Sequence, residues 1–345
     1  MKIITLKNGK KVLAFCREEQ DLEGIDEILK SVDFINDHAF STNKYLTEIV
    51  IPDNIEYIGE SVFAHCHNLT KVTLPKGLKR IEYNTFGSCD KLESVNIPDS
   101  VEKIAQFAFH GCTKLKDVEL PAQCSIKQSA FRNSGVVNLT IYDMDEIEPG
   151  CFADCKHLKS VKIEKGQSIP MFSFINCSNL KQVELPNELF SIGERAFSMC
   201  SNLEQINLPR SLKYINEGAF SSCTRLTNIE MPIELEYVGK YAFNYSGISS
   251  IELPKNCVFH QDAFDERVDI KYLTSFGIIN REGKRMLEGE IKKEDERFIK
   301  SMVTKAVLSS QMTHHEFLKS QALLSKIHKQ RELQEMQDEQ NLQEV

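Results

Sequence analysis

A phenylalanine recurs every 21 to 23 residues along most of this chain, and this spacing constrains the fold more than any other feature. A repeat period between 20 and 50 residues is typical of a solenoid or a propeller, in which each unit buries its apolar face only against its neighbours. The recurrent positions are Phe40, Phe63, Phe86, Phe109, Phe131, Phe152, Phe174, Phe197, Phe220, Phe243 and Phe264.

Between two of these phenylalanines, the other apolar residues follow a fixed order. In the segment Leu-x-x-Val-x-Leu, residues two apart share one face of an extended strand, so Val72 and Leu74 are predicted to point inward. The proline that follows lacks an N–H group and ends the strand. A second apolar pair, such as Leu78 and Ile81, predicts the return path. The unit that begins at Phe197 continues with Cys200, Leu203, Ile206, Leu208, Pro209, Leu212 and Ile215.

The motif Leu-x-x-Val-x-Leu-Pro-x-x-Leu-x-x-Ile-x-x-x-Ala-Phe-x-x-Cys resembles the BspA-like leucine-rich-repeat family over about residues 28–264. The resemblance implies a right-handed, strand-lined solenoid that binds other macromolecules, and many members of the family are surface proteins with export signals. We therefore predict a mainly β repeat solenoid of about ten rungs, each of 21–23 residues, followed by a C-terminal α-helical tail.

The composition of the ends predicts four regions. In residues 1–33, two apolar runs joined through Asn8-Gly9 predict a hairpin, and a short helix follows as the rest of an N-terminal cap. Residues 34–264 form the solenoid and 265–285 a C-terminal cap. Residues 286–345 are rich in Glu, Lys, Gln, Met and Leu and predict a helical tail with a frayed end.

Several repeats depart from the pattern. Two units replace the cysteine by Ser134-Gly135 and Ser246-Gly247, where glycine is expected to supply a positive φ for a tighter turn. Three consecutive units between residues 120 and 174 have a shorter return path. We predict altered curvature or twist there. Neutral drift in turn length and a bend that shapes a binding surface both remain open as explanations.

Charge and hydrophobicity exclude some classes of function. The net charge is −8 and there is no basic stripe, which argues against a nucleic-acid partner. The N-terminal apolar stretch is interrupted at Lys7, too early for a signal-peptide core, and no apolar run has the length of a membrane span. We therefore predict a cytoplasmic protein, with a surface location as the alternative. The 11 cysteines are then expected to be reduced thiols.

Two clusters could suggest a metal site, but both have simpler explanations. In His65-Cys66-His67 the cysteine belongs to the repeated column, whose thiols are expected in small buried slots as weak donors. The tripeptide His314-His315-Glu316 lacks the spacing of a metalloprotease motif. Since no Cys-x-x-Cys occurs either, we predict no metal and no cofactor.

No sequence motif predicts an enzyme. There is no glycine-rich phosphate loop and no nucleophile elbow, and the carboxylates show no evident catalytic pairing. Cys16, Cys151 and Cys257 lie outside the repeated column, and one of them could be reactive. An enzyme whose site is assembled across several rungs stays open as a weaker alternative.

The outward positions of the predicted strands are the remaining candidates for a site. The residues at these positions are small and polar, and acidic residues are more frequent among them toward the C-terminal half. This composition favours a groove that binds a basic or polar partner. A solvated sheet face is the alternative interpretation. The predicted binding residues are Glu119, Gln182, Glu184, Gln205, Asn207, Asn228, Glu230 and Glu252.

These observations predict a non-enzymatic scaffold that binds a macromolecule, most directly a protein partner, through the strand-lined face of the solenoid. The 286–345 helix is a candidate for self-association. A cell-surface adhesin or host-interaction module is the first alternative, and the enzyme with a site across rungs is the second.

Overall fold

The computed structural model describes residues 1–255, 257–274 and 277–280. It is a β-solenoid of about 12 turns, built almost entirely of short strands and loops. The predicted repeat solenoid is confirmed, with more turns than the ten predicted. Lys11–Phe15 pairs in parallel with Phe34–Ile35, and Asp269–Thr274 pairs in parallel with Ser250–Pro254, so the chain adds rungs at both ends. The predicted helical tail at 286–345 lies outside the described residues.

Each regular rung contributes two short strands that stack in register on the neighbouring rungs. The first strand comes from the Leu-x-x-Val-x-Leu segment, and its central valine or isoleucine is buried because alternate residues face the core. We call this set the first-strand row, and we include in it the equivalent segments 117–119, 205–207 and 228–230, which form no strand. Its strands are Glu48–Val50, Lys71–Thr73, Ser94–Asn96, Asn138–Ile141, Ser160–Ile163, Gln182–Glu184, Ser250–Pro254 and Asp269–Thr274.

The second strand is only two residues long in most rungs, and its second residue is buried. This second-strand row is interrupted between Tyr57–Ile58 and Arg80–Ile81 and again between Ser125–Ile126 and Ser168–Ile169. At the second break, Pro170, which follows Ser168–Ile169, has no N–H to donate. The row comprises Phe34–Ile35, Tyr57–Ile58, Arg80–Ile81, Lys103–Ile104, Ser125–Ile126, Ser168–Ile169, Ser191–Ile192, Tyr214–Ile215, Tyr237–Val238 and Val258–Phe259.

The two ends of the solenoid carry antiparallel strands. Lys2–Thr5 pairs with Lys11–Phe15 around a turn in which Gly9 has a φ of 85° and donates to the Leu6 carbonyl. At the other end, Asp269–Thr274 pairs with Gly277–Asn280. The described helices are short: a 3₁₀ helix at Glu19–Leu22, an α-helix at Ile25–Lys30 and a 3₁₀ helix at Met144–Glu146.

The repeated phenylalanines form one continuous column through the core. Every neighbouring pair from Phe40 to Phe264 is stacked, with ring centroids 4.9–5.8 Å apart and interplanar angles of 2–17°. All eleven rings are buried, so the predicted inward orientation of this column is confirmed. Each ring therefore loses half of its aromatic contacts if the adjacent rung is absent, which explains why the rungs must stack.

The turn that carries each phenylalanine has an unusual backbone. In ten rungs, the residues two before and two after the phenylalanine both have φ between 49° and 74°. Only three of these twenty positions hold glycine. A residue with a side chain loses roughly 1–2 kcal/mol in the left-handed conformation, so the turns need a compensating interaction.

Backbone hydrogen bonds between rungs supply this compensation. In one turn, Arg195 N donates to Glu217 O at 2.8 Å, Phe197 N to Ala219 O at 2.9 Å, and Met199 N to Ser221 O at 2.8 Å. Each such bond is worth about 0.5–1.5 kcal/mol net. The left-handed conformation turns every second N–H group of the turn toward the next rung. The same backbone geometry therefore causes the conformational strain and makes the hydrogen bonds between rungs possible.

Three predicted first strands are absent from the ladder, which corrects the sequence interpretation. Segments 117–119, 205–207 and 228–230 have no strand pairing, although their side chains alternate between inside and outside as predicted. The neighbouring rungs remain joined there by the phenylalanine turns, for example by Ser222 N to Asn244 O at 2.8 Å. Because this turn ladder continues, individual rungs can lose the first-strand bonds.

The expectation that Gly135 and Gly247 supply positive φ is wrong. Neither glycine adopts a positive φ; the left-handed residues are Asn133 and Tyr245 instead. A Cβ on Gly135 would lie 2.3 Å from the Thr113 carbonyl oxygen of the preceding rung. The shortened turns therefore require glycine because the backbones of two rungs approach closely.

The shortened units between residues 120 and 174 show a local change in structure. The 3₁₀ helix Met144–Glu146 stands where other rungs have a second strand, and only an isolated bridge joins Ile126 to Ile147. Met144 is fully buried and fills the space beside this turn. Altered curvature in this region stays a prediction.

Candidate functional site

All eight side chains predicted for binding are exposed in the structure. Gln182 and Glu184 lie on one strand of the first-strand row, and Glu252 lies on another. Glu119 is separated from the remainder by the rungs of Asn138–Ile141 and Ser160–Ile163. The structure thus brings seven of the eight together on four consecutive rungs. Five of the eight, on the three segments without strand pairing, are Glu119, Gln205, Asn207, Asn228 and Glu230.

Lysines on neighbouring rungs partly balance the acidic side chains of this face. Lys162 stands in register opposite Glu184, and Lys271 stands in register opposite Glu252. The pKa of Lys162 is raised, chiefly by its hydrogen bond to Glu164 at 2.8 Å. Glu230 has no ion pair among the described residues. The face is therefore polar, and a lysine in register partly offsets its negative charge at Glu184 and at Glu252.

The repeated cysteines point inward, and each thiol forms a hydrogen bond with the preceding rung. Each column thiol donates to the carbonyl oxygen of the phenylalanine one rung earlier, at distances of 2.9–3.2 Å. This confirms the prediction of buried thiols that act as weak donors. The cysteines concerned are Cys66, Cys89, Cys112, Cys155, Cys177, Cys200 and Cys223.

The thiols outside this column are also buried. Burial raises the pKa of Cys16 and of Cys151 to about 12 and the pKa of Cys124 to about 11. Cys257 is buried as well. A raised pKa keeps a thiol protonated at neutral pH, and the protonated form is a poor nucleophile. Burial and a raised pKa therefore make Cys16 and Cys151 poor nucleophiles in the folded protein.

The sequence His65-Cys66-His67 does not converge on one point in space. Cys66 Sγ donates to Phe40 O at 3.0 Å inside the core. His67 Nδ1 lies 2.5 Å from Asp90 Oδ1, and its ring is 6.0 Å from that of His65. The three side chains have different environments, so they are not arranged as a set of metal ligands. The tripeptide His314-His315-Glu316 lies outside the described residues.

Comparisons with known proteins agree with this geometry. A family profile for the BspA type leucine rich repeat region, with six copies, matches residues 33–159 and 145–271. The chain belongs to the BspA type leucine rich repeat family. The turn ladder, the phenylalanine column and the thiol hydrogen bonds are therefore features of a member of that family.

Solved structures resemble this BspA-type protein to different degrees. A leucine-rich repeat protein from Bacteroides ovatus shares 27% identity with a TM-score of 0.58, over 71% of this chain and 70% of that one. The pneumococcal vaccine antigen PcpA shares 20% identity with a TM-score of 0.48, over 71% of this chain and 67% of that one. No curated protein matches the chain. Within the described residues, no helix is both long and apolar enough to span a bilayer.

A second surface of this BspA-type protein was missed in the sequence. Several left-handed positions of the phenylalanine turns hold large exposed side chains rather than the glycine or asparagine that this conformation favours. Among these are Arg195 and Met199 in one turn and Tyr241 and Tyr245 two turns later. In the sequence, this surface is indicated only by Arg, Met and Tyr two residues before or after a repeated phenylalanine. Residue types at these positions follow no regular pattern from rung to rung.

Between these two turns lies a shallow trough. The intervening rung has Gly218 where its neighbours have Arg195 and Tyr241, so one rung of the surface is recessed. The trough encloses about 160 Å³ and is lined by Arg195, Glu217, Gly218, Ser221, Tyr241 and Asn244. Lys240 Nζ lies 4.5 Å from the centre of the Tyr241 ring and adds a second cation beside it. We refer to these lining residues as the Gly218 trough.

Proposed function

We propose that this chain is a non-enzymatic scaffold that binds a protein partner, with the first-strand row of the C-terminal rungs as its principal surface. The observation that carries this proposal is the separation of roles within each rung. Most apolar residues of the repeat motif are buried in the core, and the exposed polar positions of the strands contribute little to this packing. Such an array presents side chains at fixed spacings on a rigid backbone.

The chemistry of the exposed positions supports a polar partner surface. Gln182, Gln205 and Asn228 offer both amide donors and carbonyl acceptors, and they follow one another on adjacent rungs. Glu184 and Glu230 add carboxylates that can accept charge-assisted bonds from arginine or lysine. A basic or polar partner segment that runs along the solenoid axis can therefore meet one rung after another.

A matched pair of charge-reversed proteins tests this proposal. In one, Glu184, Glu230 and Glu252 are changed to Lys; in the control, the exposed residues Glu60, Asp99 and Glu234 are changed to Lys. Both carry the same change in net charge. In affinity capture with the full chain, the first variant is expected to lose a protein that the wild type and the control retain. Equal capture by all three proteins contradicts the proposed surface.

The location of the protein in the cell is part of the proposal. We propose a cytoplasmic scaffold, and a surface adhesin is the alternative. Protease treatment of intact cells distinguishes the two: a cytoplasmic protein stays whole until the cells are lysed, whereas a surface protein is cleaved at once. An intracellular protein of known stability serves as the control for cell integrity.

A further inference from the structure

The Gly218 trough combines residue types that dominate the energetics of protein interfaces. Tyr and Arg are enriched among the side chains that contribute most to binding. Tyr241 is 38% exposed, and Met199 and Tyr245 beside the trough are 49% and 64% exposed. The first-strand row has no such anchors among its eight predicted residues. The trough is therefore a separate surface with its own chemistry.

The width of the trough suits one extended chain. Arg195 and Tyr241 belong to turns two rungs apart, and the Phe197, Phe220 and Phe243 rings below them are 5.4 and 5.2 Å apart. The walls are thus roughly 10 Å apart, about twice the spacing between neighbouring strands. An extended segment would lie over the recessed rung, beside the Arg195 side chain that packs against Gly218.

The charges around the trough select the partner segment. Arg195 is exposed and has no ion-pair partner among the described residues. The Lys240 ammonium group lies beside the Tyr241 ring, and Glu217 is the single carboxylate of the lining. An arginine side chain binds a carboxylate through two parallel N–H···O bonds. Each wall of the trough therefore sets a cation beside an apolar or aromatic side chain, Arg195 with Met199 and Lys240 with Tyr241, and matches an acidic residue next to an apolar or aromatic one.

We propose that the Gly218 trough binds an extended segment of a partner protein that carries an acidic residue next to an apolar or aromatic residue. This inference rests on the proposed protein-binding function, but it uses a different surface. Gly218 is essential because its φ of 61° and missing side chain keep the rung recessed. A Cβ at this position would already lie 3.0 Å from Arg195 Cγ.

The test uses random linear peptides displayed on phage as the probe, selected on the full chain. The selected peptides are expected to share an Asp or Glu beside a Leu, Ile, Phe, Tyr or Trp. The affinity of a selected peptide is then measured by fluorescence anisotropy for two variants. Gly218→Tyr fills the trough and Arg195→Ser removes its cation, and each is expected to weaken binding by about tenfold or more.

Matched controls separate the trough from effects on folding. Gly150→Tyr places the same side chain at the same turn position, with a φ of 67°, on a different rung. Arg210→Ser removes an exposed arginine elsewhere. Both controls are expected to bind within about twofold of the wild type. If Gly218→Tyr does not fold, Arg195→Ser and Arg210→Ser still decide the question.

Three outcomes overturn the inference. They are the selection of no peptide at all, the selection of peptides without a carboxylate, and unchanged binding by Arg195→Ser together with Gly218→Tyr. None of these affects the capture experiment on Glu184, Glu230 and Glu252, which reports on the first-strand row alone. Failure of the trough and failure of the proposed scaffold function are therefore distinguishable.

Discussion

The Cys200 thiol donates to the carbonyl oxygen of Phe174, one rung earlier, at a distance of 3.2 Å. This bond joins the two most regular columns of the repeat, the cysteines and the phenylalanines. The same carbonyl oxygen also accepts the Cys177 N–H of its own rung at 3.2 Å, so the thiol is its second donor. The cysteine is thus retained for its size and its S–H group, not for reactivity.

This bond predicts different consequences for two small substitutions. Cys200→Ala should lower the free energy of unfolding by about 0.5–1.5 kcal/mol, because the Phe174 carbonyl oxygen keeps the Cys177 N–H but loses its second donor in the core. Cys200→Ser should cost less, since the hydroxyl group can still donate and Ser134 and Ser246 occupy the same position in other rungs. Urea unfolding of both variants checks the order. A serine variant less stable than the alanine variant contradicts the assigned role.

The buried thiols also predict a loss of stability at alkaline pH. The pKa of Cys66 and of Cys223 is raised from 9.0 to about 12, because burial disfavours the thiolate. The folded state therefore keeps its proton where the unfolded state loses it. The contribution of these thiols is complete below about pH 9 and is lost as the pH rises toward 12.

Each such thiol is expected to lower the free energy of unfolding by about 1.4 kcal/mol at pH 10 relative to pH 7. A variant with Cys66, Cys151 and Cys223 changed to Ser should therefore lose less stability between these pH values than the wild type. Urea unfolding at both pH values measures the difference. An identical loss in the two proteins would show that the thiols do not control the alkaline transition.

The close approach of Gly135 to the preceding rung predicts a large effect from one methyl group. Gly135→Ala should destabilise the protein by about 1–3 kcal/mol, because its Cβ would meet a backbone oxygen that cannot move freely. Gly77→Ala is the matched control, since a Cβ there has no atom within 4 Å. Thermal unfolding compares the two. Similar melting temperatures for both variants contradict the proposed contact.

The outward orientation of the first-strand row predicts that charge reversal leaves the fold intact. Changing Glu184, Glu230 and Glu252 to Lys should alter the free energy of unfolding by less than about 1 kcal/mol. A small loss is expected at Glu184, because the new lysine would face Lys162 across the ladder. Circular dichroism during urea unfolding measures this. A loss of several kcal/mol would mean that these side chains support the core.

The sequence predicted the repeat because the phenylalanine, cysteine and Leu-x-x-Val-x-Leu positions are each restricted by burial. It did not predict the left-handed turns, since their occupants range from Ser61 to Phe107 and Tyr245 without a common chemistry. Their conformation is imposed by bonds to the next rung, and such bonds are invisible in one repeat. The sequence indicated that position 135 requires glycine, but it did not indicate that the reason is the close approach of two rungs.

The candidate surfaces were predictable to different degrees. The alternation of inward and outward residues gave the exposure of Glu184 and its equivalents even where strand pairing is absent, because alternation needs only an extended backbone. The Gly218 trough depends on three turns placed in register, with a glycine between Arg195 and Tyr241. No linear motif joins these residues, so only the stacked structure reveals them.

Each rung is held by a phenylalanine ring stacked between the rings of its two neighbours. The equilibrium unfolding of Phe197→Ala tests this stacking, since the Phe197 ring centroid lies 5.4 Å from that of Phe174 and 5.4 Å from that of Phe220. We predict a loss of about 3–5 kcal/mol in the free energy of unfolding. Phe197→Leu, which refills most of the volume, should lose clearly less. A loss of less than about 1 kcal/mol in Phe197→Ala would mean that this ring does not hold its rung to the neighbouring rungs.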